Sequence, residues 1–371
     1  MRNTLICTVG TSLLNNLKFS KDEAIQTAFQ NHNWNQLSLL LLDQENSARI
    51  CGAEINSITS IYNNGYLQDP IRLIFLVSDT EDGQTIGKLL KLYYNNRKNP
   101  IRFHEDAEVR VLTGLRDDDI SSFKKQGLKS LVREISTEVR KFSPECTAIN
   151  ATGGYKAQIS FAATIGQALE IPVYYLFEKF SEVIELPPQP ISLDLAFWLN
   201  NYLLFESLES EQTVQKDNFD LDLESNLFDS LIDEEIIDGV DYISLSAMGL
   251  LFNARSRLQF AKQETAILEL IPQDGTAPNQ KKIDLRDDHG KDKLKAFSKK
   301  LCQSPYVKEI INSLPFNPKL TSPIRRTYPD GKIEFVLNWT DPGYGVCIQS
   351  TGRNQAETNS IALHLAQQFS Q

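Results

Sequence analysis

The chain has 371 residues, 41% of them hydrophobic, and a formal net charge of -10. This length can bury two ordinary cores, so we expect two domains. No apolar run approaches the roughly 18 residues of a membrane span, and the N-terminal apolar stretch is interrupted too early for a signal peptide. Five cysteines without a C-x-x-C pair favour reduced thiols in a cytoplasmic protein over a disulfide framework.

The first 205 residues repeat a pattern of an apolar strand followed by a helix. The pattern occurs in TLICTVG, IRLIFLVSDTEDGQTIGKLLKLYY, AEVRVLTGLRDDD, CTAINATGGYKAQ and IPVYYLFEK. Continuous apolar strands with intervening helices predict a parallel sheet covered on both faces. In such sheets ligands bind beyond the carboxyl ends of the strands.

Polar loops follow three of these predicted strands, with the sequences TVGTS, SDTEDGQT and NATGGYK. Each loop places hydroxyls, amides or glycines at the start of a helix, where unpaired N–H groups favour an anion. Gly153 and Gly154 allow close approach of the backbone, and Lys156 adds a positive charge. The chain contains neither G-x-G-x-x-G nor a P-loop, and paired glycines also serve simply as turns. The three loops together predict an anion site without naming its ligand.

In this order, TVGTSLL, SDTEDGQTIG and NATGGYKAQ resemble the signatures of CARF domains, the CRISPR-associated Rossmann folds of type III CRISPR accessory proteins. The resemblance covers about residues 1 to 200 and assigns residues 1–205 to a CARF domain. It implies a homodimer that binds cyclic oligoadenylate, with the tetra-adenylate favoured, and no cofactor. The implied ligand-binding residues are Thr11, Ser12, Ser78, Asp79, Thr80, Asn150, Ala151, Thr152, Gly153, Gly154, Tyr155 and Lys156. Some CARF domains also cut their ligand slowly, and Thr11, Ser12 and Lys156 are the positions for such an activity.

An acidic segment follows this domain. Residues 206–241 carry thirteen acidic side chains and one lysine, Lys216, a composition typical of a solvated linker. The next stretch, DYISLSAMGLLFNARSRLQFAK, predicts a strand, a cap at Ser244 or Ser246, and an amphipathic helix. We interpret residues 206–262 as an acidic linker and winged-helix-like connector that passes a rearrangement of the CARF dimer to the next domain.

Residues 263–371 predict a small α+β domain. ETAILELI is predicted as a strand, and KDKLKAFSKKLCQSPYVKEIINSL as a helix broken into two near Pro305. SPIRRTYPDGKIEFVLNW predicts a hairpin that turns at Pro329, Asp330 and Gly331. A third strand in YGVCIQSTG precedes a closing helix that begins at Asn354 or Thr351.

This order of elements, together with the basic residues, resembles a RelE-type mRNA interferase. We find no convincing HEPN ribonuclease motif, carboxylate nuclease motif or metal site in the chain. The resemblance implies metal-independent cleavage of mRNA on the ribosome, with attack by the RNA's own 2′-hydroxyl. The candidate catalytic residues are Arg325, Arg326, Tyr328, Lys332, Arg353 and, in reserve, His289. Lys295, Lys299 and Lys300 are candidate contacts to RNA phosphates.

Two alternatives for the whole protein stay open. A DNA-reading C-terminal domain would make it a transcription factor controlled by its ligand, and KDKLKAFSKKL is the candidate recognition helix. A protein that only destroys the second messenger would use its C-terminal domain for dimerisation. Charged turns are also common on protein surfaces, so RRTYPDGK can be interpreted as a solvated hairpin tip.

Overall fold

A computed structural model of the protein describes residues 2–177, 180–189, 192–218, 228–286, 290–317, 322–337 and 343–369. The chain divides into two compact units. The first unit comprises Met1–Ser192, Asp222–Asp233 and Leu245–Arg255, and the second comprises Leu193–Leu221, Glu234–Ser244 and Ser256–Gln371. Within the described ranges, no helix is both long enough and apolar enough to cross a membrane.

The first unit is built on a six-stranded sheet with the order β3-β2-β1-β4-β5-β6. Its strands are β1 (Thr4–Thr8), β2 (Arg72–Ser78), β3 (Glu108–Leu112), β4 (Thr147–Asn150), β5 (Val173–Tyr175) and β6 (Ile184–Leu186). All pairings are parallel except that of β5 with β6. Every residue of β1 and β4 is buried, as expected for strands covered on both faces. The predicted α/β domain with a mostly parallel central sheet is confirmed.

Eight helices accompany this sheet among the described residues of the first unit. They are α1 (Ser12–Lys18), α2 (Glu23–Gln30), α3 (Trp34–Leu42), α4 (Gly52–Asn63), α5 (Glu81–Tyr94), α6 (Ile120–Ser122), α7 (Leu128–Phe142) and α8 (Lys156–Ala168). A π-helical turn, Phe123–Gly127, joins α6 to α7. The side chains of Asp22, Asn33 and Thr80 cap α2, α3 and α5 by accepting first-turn N–H bonds. Helix α8 begins at Lys156, directly after the loop with the paired glycines.

The acidic segment 206–241 is divided between the two units and contains regular structure. Its elements, with the helix before it, are α9 (Leu195–Asn200), α10 (Tyr202–Glu211), β7 (Val214–Gln215), β8 (Ile232–Ile237) and β9 (Val240–Leu245). Some of its acids have cationic partners, because Glu209 pairs with Arg257 at 2.8 Å and Glu234 pairs with Lys216 at 3.0 Å. The part of the segment at 219–227 lies outside the described residues.

Helix α11 (Ala247–Glu269) begins where the connector was predicted to become helical. The hydroxyl of Ser246 accepts a hydrogen bond from the N–H of Gly249 at 3.0 Å, so Ser246 is the cap. The predicted strand ETAILELI is wrong, because α11 continues to Glu269. No turn residue separates it from the preceding helix, and the buried positions Phe260, Leu268 and Ile271 keep a helical spacing.

The second unit contains a four-stranded antiparallel sheet with the order β10-β13-β12-β11. Its strands are β10 (Val307–Ser313), β11 (Ile324–Thr327), β12 (Lys332–Leu337) and β13 (Tyr344–Ser350), and the adjoining helices are α12 (Lys291–Leu301) and α13 (Gln355–Phe369). The predicted second half of the broken helix is wrong, since it forms β10. Its β-branched Val307 and Ile310 are buried and favour a strand once the helix has ended before Pro305.

The hairpin, third strand and closing helix of the second unit are confirmed. The hairpin closes through a hydrogen bond from the N–H of Gly331 to the carbonyl of Tyr328, at a positive φ of 89° that suits glycine. Asn354, not Thr351, caps α13, because its side chain accepts from the N–H of Glu357 at 2.9 Å. Asn359 then fixes α13 to α9 by donating to the carbonyl of Leu199 at 2.6 Å.

Candidate functional site

The loops after β1 and β4 lie at the point where the strand order of the first sheet reverses. From β1 the chain proceeds to β2 and β3 on one side, whereas β4 and β5 lie on the other. The crevice beyond such a switch point is where open α/β sheets bind ligands. Two of the predicted loops, 8–12 and 150–156, occupy this position.

These two loops contact each other directly. The hydroxyl of Thr8 donates a hydrogen bond to the carbonyl of Gly153 at 2.5 Å. A Cβ atom on Gly10 would lie 2.6 Å from the backbone nitrogen of Gly154, which is closer than side chains approach backbone. Gly10 is therefore required by the close approach of the loops, and the two loops form one surface.

The paired glycines lie between two buried polar side chains. A Cβ on Gly153 would lie 2.1 Å from Oε1 of Glu54, and a Cβ on Gly154 would lie 2.4 Å from Oε1 of Gln158. The same oxygens accept hydrogen bonds from the backbone, Glu54 from Gly10 N–H at 2.8 Å and Gln158 from the N–H of Tyr155 at 3.2 Å. Sequence reasoning missed Glu54 and Gln158, because neither belongs to a recognisable motif.

Asn150 holds the loop after β4 from beneath. It is 1% exposed and donates to the hydroxyl of Ser57 at 2.8 Å. Its side-chain oxygen accepts from the hydroxyl of Thr152 at 2.7 Å, and that hydroxyl accepts from the N–H of Leu176 at 3.0 Å. These residues are placed to shape the loop. Asn150 and Ala151 are buried, and the hydroxyl of Thr152 is occupied by its two hydrogen bonds.

The loop after β2 meets the loop after β4 through Tyr155. Burial, followed by the nearby Asp117 carboxylate, raises the pKa of Tyr155, whose hydroxyl also hydrogen-bonds to Ser78 and Asp117. The Ser78 hydroxyl lies 2.8 Å from that of Thr80, and the Asp79 carboxylate accepts from the N–H of Gly114 at 3.1 Å. The structure thus brings the three predicted loops together at one edge of the sheet.

The N-terminus of α8 is electrostatically more favourable to an anion than that of α5, the other long helix at this edge. The first turn of α5 carries Glu81 and Asp82, which complement the helix dipole and repel an anion. The first turn of α8 contains no acid, and Lys156 is exposed there. No ion-pair partner of Lys156 occurs within the described part of the chain. Thr11 and Ser12 are also exposed, on the neighbouring loop.

The basic hairpin of the second unit is largely paired with acids. Arg325 and Tyr328 share Glu334, with a distance of 3.5 Å from Arg325 Nε to the carboxylate and a hydrogen bond of 3.1 Å from the Tyr328 hydroxyl. Lys332 bonds Asp330 at 2.7 Å, and this bond lowers the pKa of Asp330. The partner acids reduce the positive charge that the sequence predicted at this hairpin.

The remaining predicted residues of the second unit differ in their surroundings. Arg353 binds Glu357 at 2.6 Å, and this contact lowers the pKa of the glutamate. Arg326 is exposed, and in the described ranges it makes no ion pair. His289 lies outside the described residues. The predicted phosphate contacts on α12 lie on its exposed face and are Lys295, Lys299 and Lys300. The opposite face carries the buried residues Leu294, Phe297 and Leu301.

No group of three or more metal-binding side chains is present in the parts of the chain that the structure describes. Asp287, Asp288 and His289, which are adjacent in the sequence, lie outside them.

Part of the chain matches a model of a CRISPR-associated protein family. Residues 49–189 match the family model described as CRISPR-associated protein (Cas_APE2256). The match includes α4, the five strands β2 to β6 and the loop at 150–156, but not β1. It covers less than half of the chain. No curated protein matches the chain.

Two solved structures can be aligned with long stretches of the chain, although with low similarity scores. Can2 from Sulfobacillus thermosulfidooxidans, solved in complex with cyclic tetra-adenylate, is 11% identical, with 74% of this chain and 69% of that chain covered and a TM-score of 0.23. VC1899 from Vibrio cholerae is 11% identical, with 82% and 86% covered and a TM-score of 0.24. Both scores are too low to show a shared fold.

Proposed function

We propose that the protein is a signal-controlled effector of type III CRISPR defence, whose first unit binds cyclic oligoadenylate. The observation that carries this proposal is the meeting of the loops after β1 and β4 at the switch point, beside the acid-free N-terminus of α8. The match of residues 49–189 to a CRISPR-associated family supports the biological setting. A cyclic oligoadenylate supplies the phosphates that such a helix terminus attracts.

The ring is bound by a homodimer in this proposal. A cyclic oligoadenylate with an even number of nucleotides repeats its phosphates around a twofold axis, and two copies of the switch-point surface related by such an axis match that repeat. We favour cyclic tetra-adenylate as the ligand. The N–H groups in the first turn of α8 and the ammonium of Lys156 bind phosphate, and the exposed hydroxyls of Thr11 and Ser12 contact the ring.

We expect Lys156→Ala to weaken the binding of cyclic tetra-adenylate by about tenfold, the loss typical of one charge-assisted phosphate contact. The side chain is exposed, so stability stays unchanged. Titration of a fluorescent tetra-adenylate checks this, with Lys91→Ala, at another exposed lysine in the last turn of α5, as the matched control. Equal losses in the two variants would remove Lys156 from the site.

We propose that the second unit is the output of the signal, a metal-independent endoribonuclease of the RelE type that cleaves mRNA on the ribosome. The RNA supplies the 2′-hydroxyl nucleophile, so the protein must orient it and stabilise the charge on the phosphate. Arg326 supports this proposal because it is exposed and no acid pairs with it in the described ranges. Arg325 lies on the same strand, β11, and Tyr328 follows directly after it. Both side chains contact Glu334.

The other residues have supporting roles in this proposal. Lys332 and Arg353 would exchange their acidic partners for RNA phosphates when the substrate binds, and His289 stays the reserve acid or base. Lys295, Lys299 and Lys300 would hold ribosomal RNA through salt-dependent contacts. The ligand can control this activity only if it binds one arrangement of the dimer more tightly than the other.

A translation reaction with purified protein tests the proposal. Messenger integrity is followed by primer extension with and without cyclic tetra-adenylate, and cleavage is expected only when both ribosomes and ligand are present. Intact mRNA with every ring size would overturn the proposed output. Disappearance of the ligand without loss of mRNA would instead indicate ring cleavage, for which Thr11, Ser12 and Lys156 are the candidate residues. Ligand-dependent retention of promoter DNA would assign a transcription factor.

A further inference from the structure

One buried carboxyl group contacts both loops of the switch-point surface. Glu54 lies in α4 and is 0% exposed. Its Oε1 atom accepts the hydrogen bond from Gly10 N–H at 2.8 Å, and it also occupies the space into which a side chain at position 153 would project. The positions of the loops after β1 and β4 therefore both depend on this side chain.

The second oxygen of this carboxyl is unsatisfied. Oε2 of Glu54 is buried, and it has no hydrogen-bond partner within the described part of the chain. Nor does any described lysine, arginine or histidine pair with Glu54. Burying an ionised carboxylate without a cation is costly, whereas the neutral acid is tolerated. Burial accordingly raises the pKa of Glu54, although the hydrogen bond from Gly10 opposes the shift.

The titratable groups around Glu54 do not change charge near neutral pH. Cys7 faces it from β1 and Tyr94 from α5, and burial raises the pKa of each above its ordinary value. Cys51, next to the start of α4, has its pKa raised by burial to about 11. Asn150 and Ser57, which lie in the same buried layer, carry no charge. A change of protonation in this layer below the pH range of thiols and phenols therefore belongs to Glu54.

We propose that Glu54 is a proton-linked positioning residue of the ligand site, whose carboxylate is driven to take up a proton from solvent when the anionic ring binds. The inference rests on the proposed binding of cyclic oligoadenylate by the first unit. The only chemical change is the addition of the proton to the carboxylate, which becomes a neutral acid. Negative charge on Glu54 repels phosphates held by the two loops that it supports, and neutralisation removes this repulsion.

The sign of the pH dependence follows from this linkage. The ring binds the protonated form of Glu54 more tightly, so affinity is highest below the pKa of Glu54 in the free protein. Affinity then falls as the pH rises through that pKa and levels off above the higher pKa of the complex. The two plateaus differ by the ratio of the two acid constants, which is about tenfold for a shift of about one pKa unit.

The test compares the wild type with Glu54→Gln. Glutamine keeps the acceptor for Gly10 N–H, places an amide at the unsatisfied oxygen and cannot ionise. Cyclic tetra-adenylate is titrated from about pH 5 to about pH 8, that is, upward from the ordinary pKa of a glutamate carboxyl, since burial raises the pKa of Glu54. The dissociation constant of the wild type should rise about tenfold, and that of Glu54→Gln should stay at the low-pH value. Glu23→Gln, an exposed glutamate on α2, should follow the wild type.

Calorimetry in two buffers of different ionisation enthalpy provides a second measurement, on the wild type alone. For a shift of about one pKa unit it should show uptake of about half a proton, at a pH midway between the pKa of Glu54 in the free protein and that in the complex, and this result decides the proposal if Glu54→Gln fails to fold. Binding with no proton uptake, or the same pH dependence in the wild type and Glu54→Gln, would overturn the role of Glu54 and leave the proposed ligand intact. No binding of any ring by the wild type at any pH would overturn the proposed function and this inference together.

Discussion

Gly10→Ala is expected to lower the free energy of unfolding by about 1–3 kcal/mol, the range for inserting atoms into a packed site, and to abolish the binding of cyclic tetra-adenylate. The added Cβ would lie 2.6 Å from the backbone nitrogen of Gly154, so the two loops must separate. Their separation also breaks the bond from Gly10 N–H to Glu54. Denaturant unfolding and ligand titration of Gly10→Ala measure the two effects.

Gly275→Ala is the matched control for this prediction. Nothing lies within 4 Å of the Cβ position at Gly275, so alanine there should leave both stability and ligand binding unchanged. Gly10 also has an ordinary backbone conformation with no positive φ, so alanine adds no backbone strain of its own. If Gly10→Ala unfolds and binds like the wild type, the loops do not meet as described.

Removal of the Arg326 guanidinium is expected to reduce ligand-activated mRNA cleavage by about 100-fold or more, as for the loss of one group that stabilises transition-state charge. The side chain is exposed and, within the described ranges, has no acidic partner, so stability should not change. The rate of primer-extension stops in a translation reaction with Arg326→Ala measures the loss. Arg325→Ala should lose cleavage as well, and it also frees Glu334 from its cation.

The control for this prediction is Lys308→Ala, an exposed lysine on β10. Strand β10 lies at the opposite edge of the same sheet from β11, which carries Arg326. Lys308→Ala should cleave mRNA at the wild-type rate. Comparable losses at both edges would indicate general electrostatic attraction of RNA and would argue against a catalytic site at the hairpin.

The sheet of the first unit could be predicted because its signals are local. Strands β1, β2 and β4 are short apolar runs, and the polar residues that end each of them are adjacent in sequence. The three loops could be assigned to one edge because the carboxyl ends of parallel strands lie together. In the second unit, the hairpin was predicted from Pro329, Asp330 and Gly331, which are turn residues between two apolar strands.

The contacts that define the site could not be predicted, because they join residues that are distant in sequence. Glu54 occurs in GAEINSITSIYN, where nothing distinguishes it from an exposed helical glutamate. Only the fold brings it to Gly10 and Gly153. The same reason explains Glu334, which neutralises Arg325 across a pair of strands. The two wrong elements, at 264–271 and 306–314, are short apolar stretches whose spacing suits either a strand or a helix.

The packing of Glu54 against Gly153 has a consequence for how sequences of this kind can diverge. Since a Cβ at position 153 and Oε1 of Glu54 occupy the same space, a larger residue at 153 is compatible only with a shorter one at 54. Substitutions at these two positions should therefore arise as compensating pairs during evolution. A lineage that shortens the residue at 54 allows position 153 to vary.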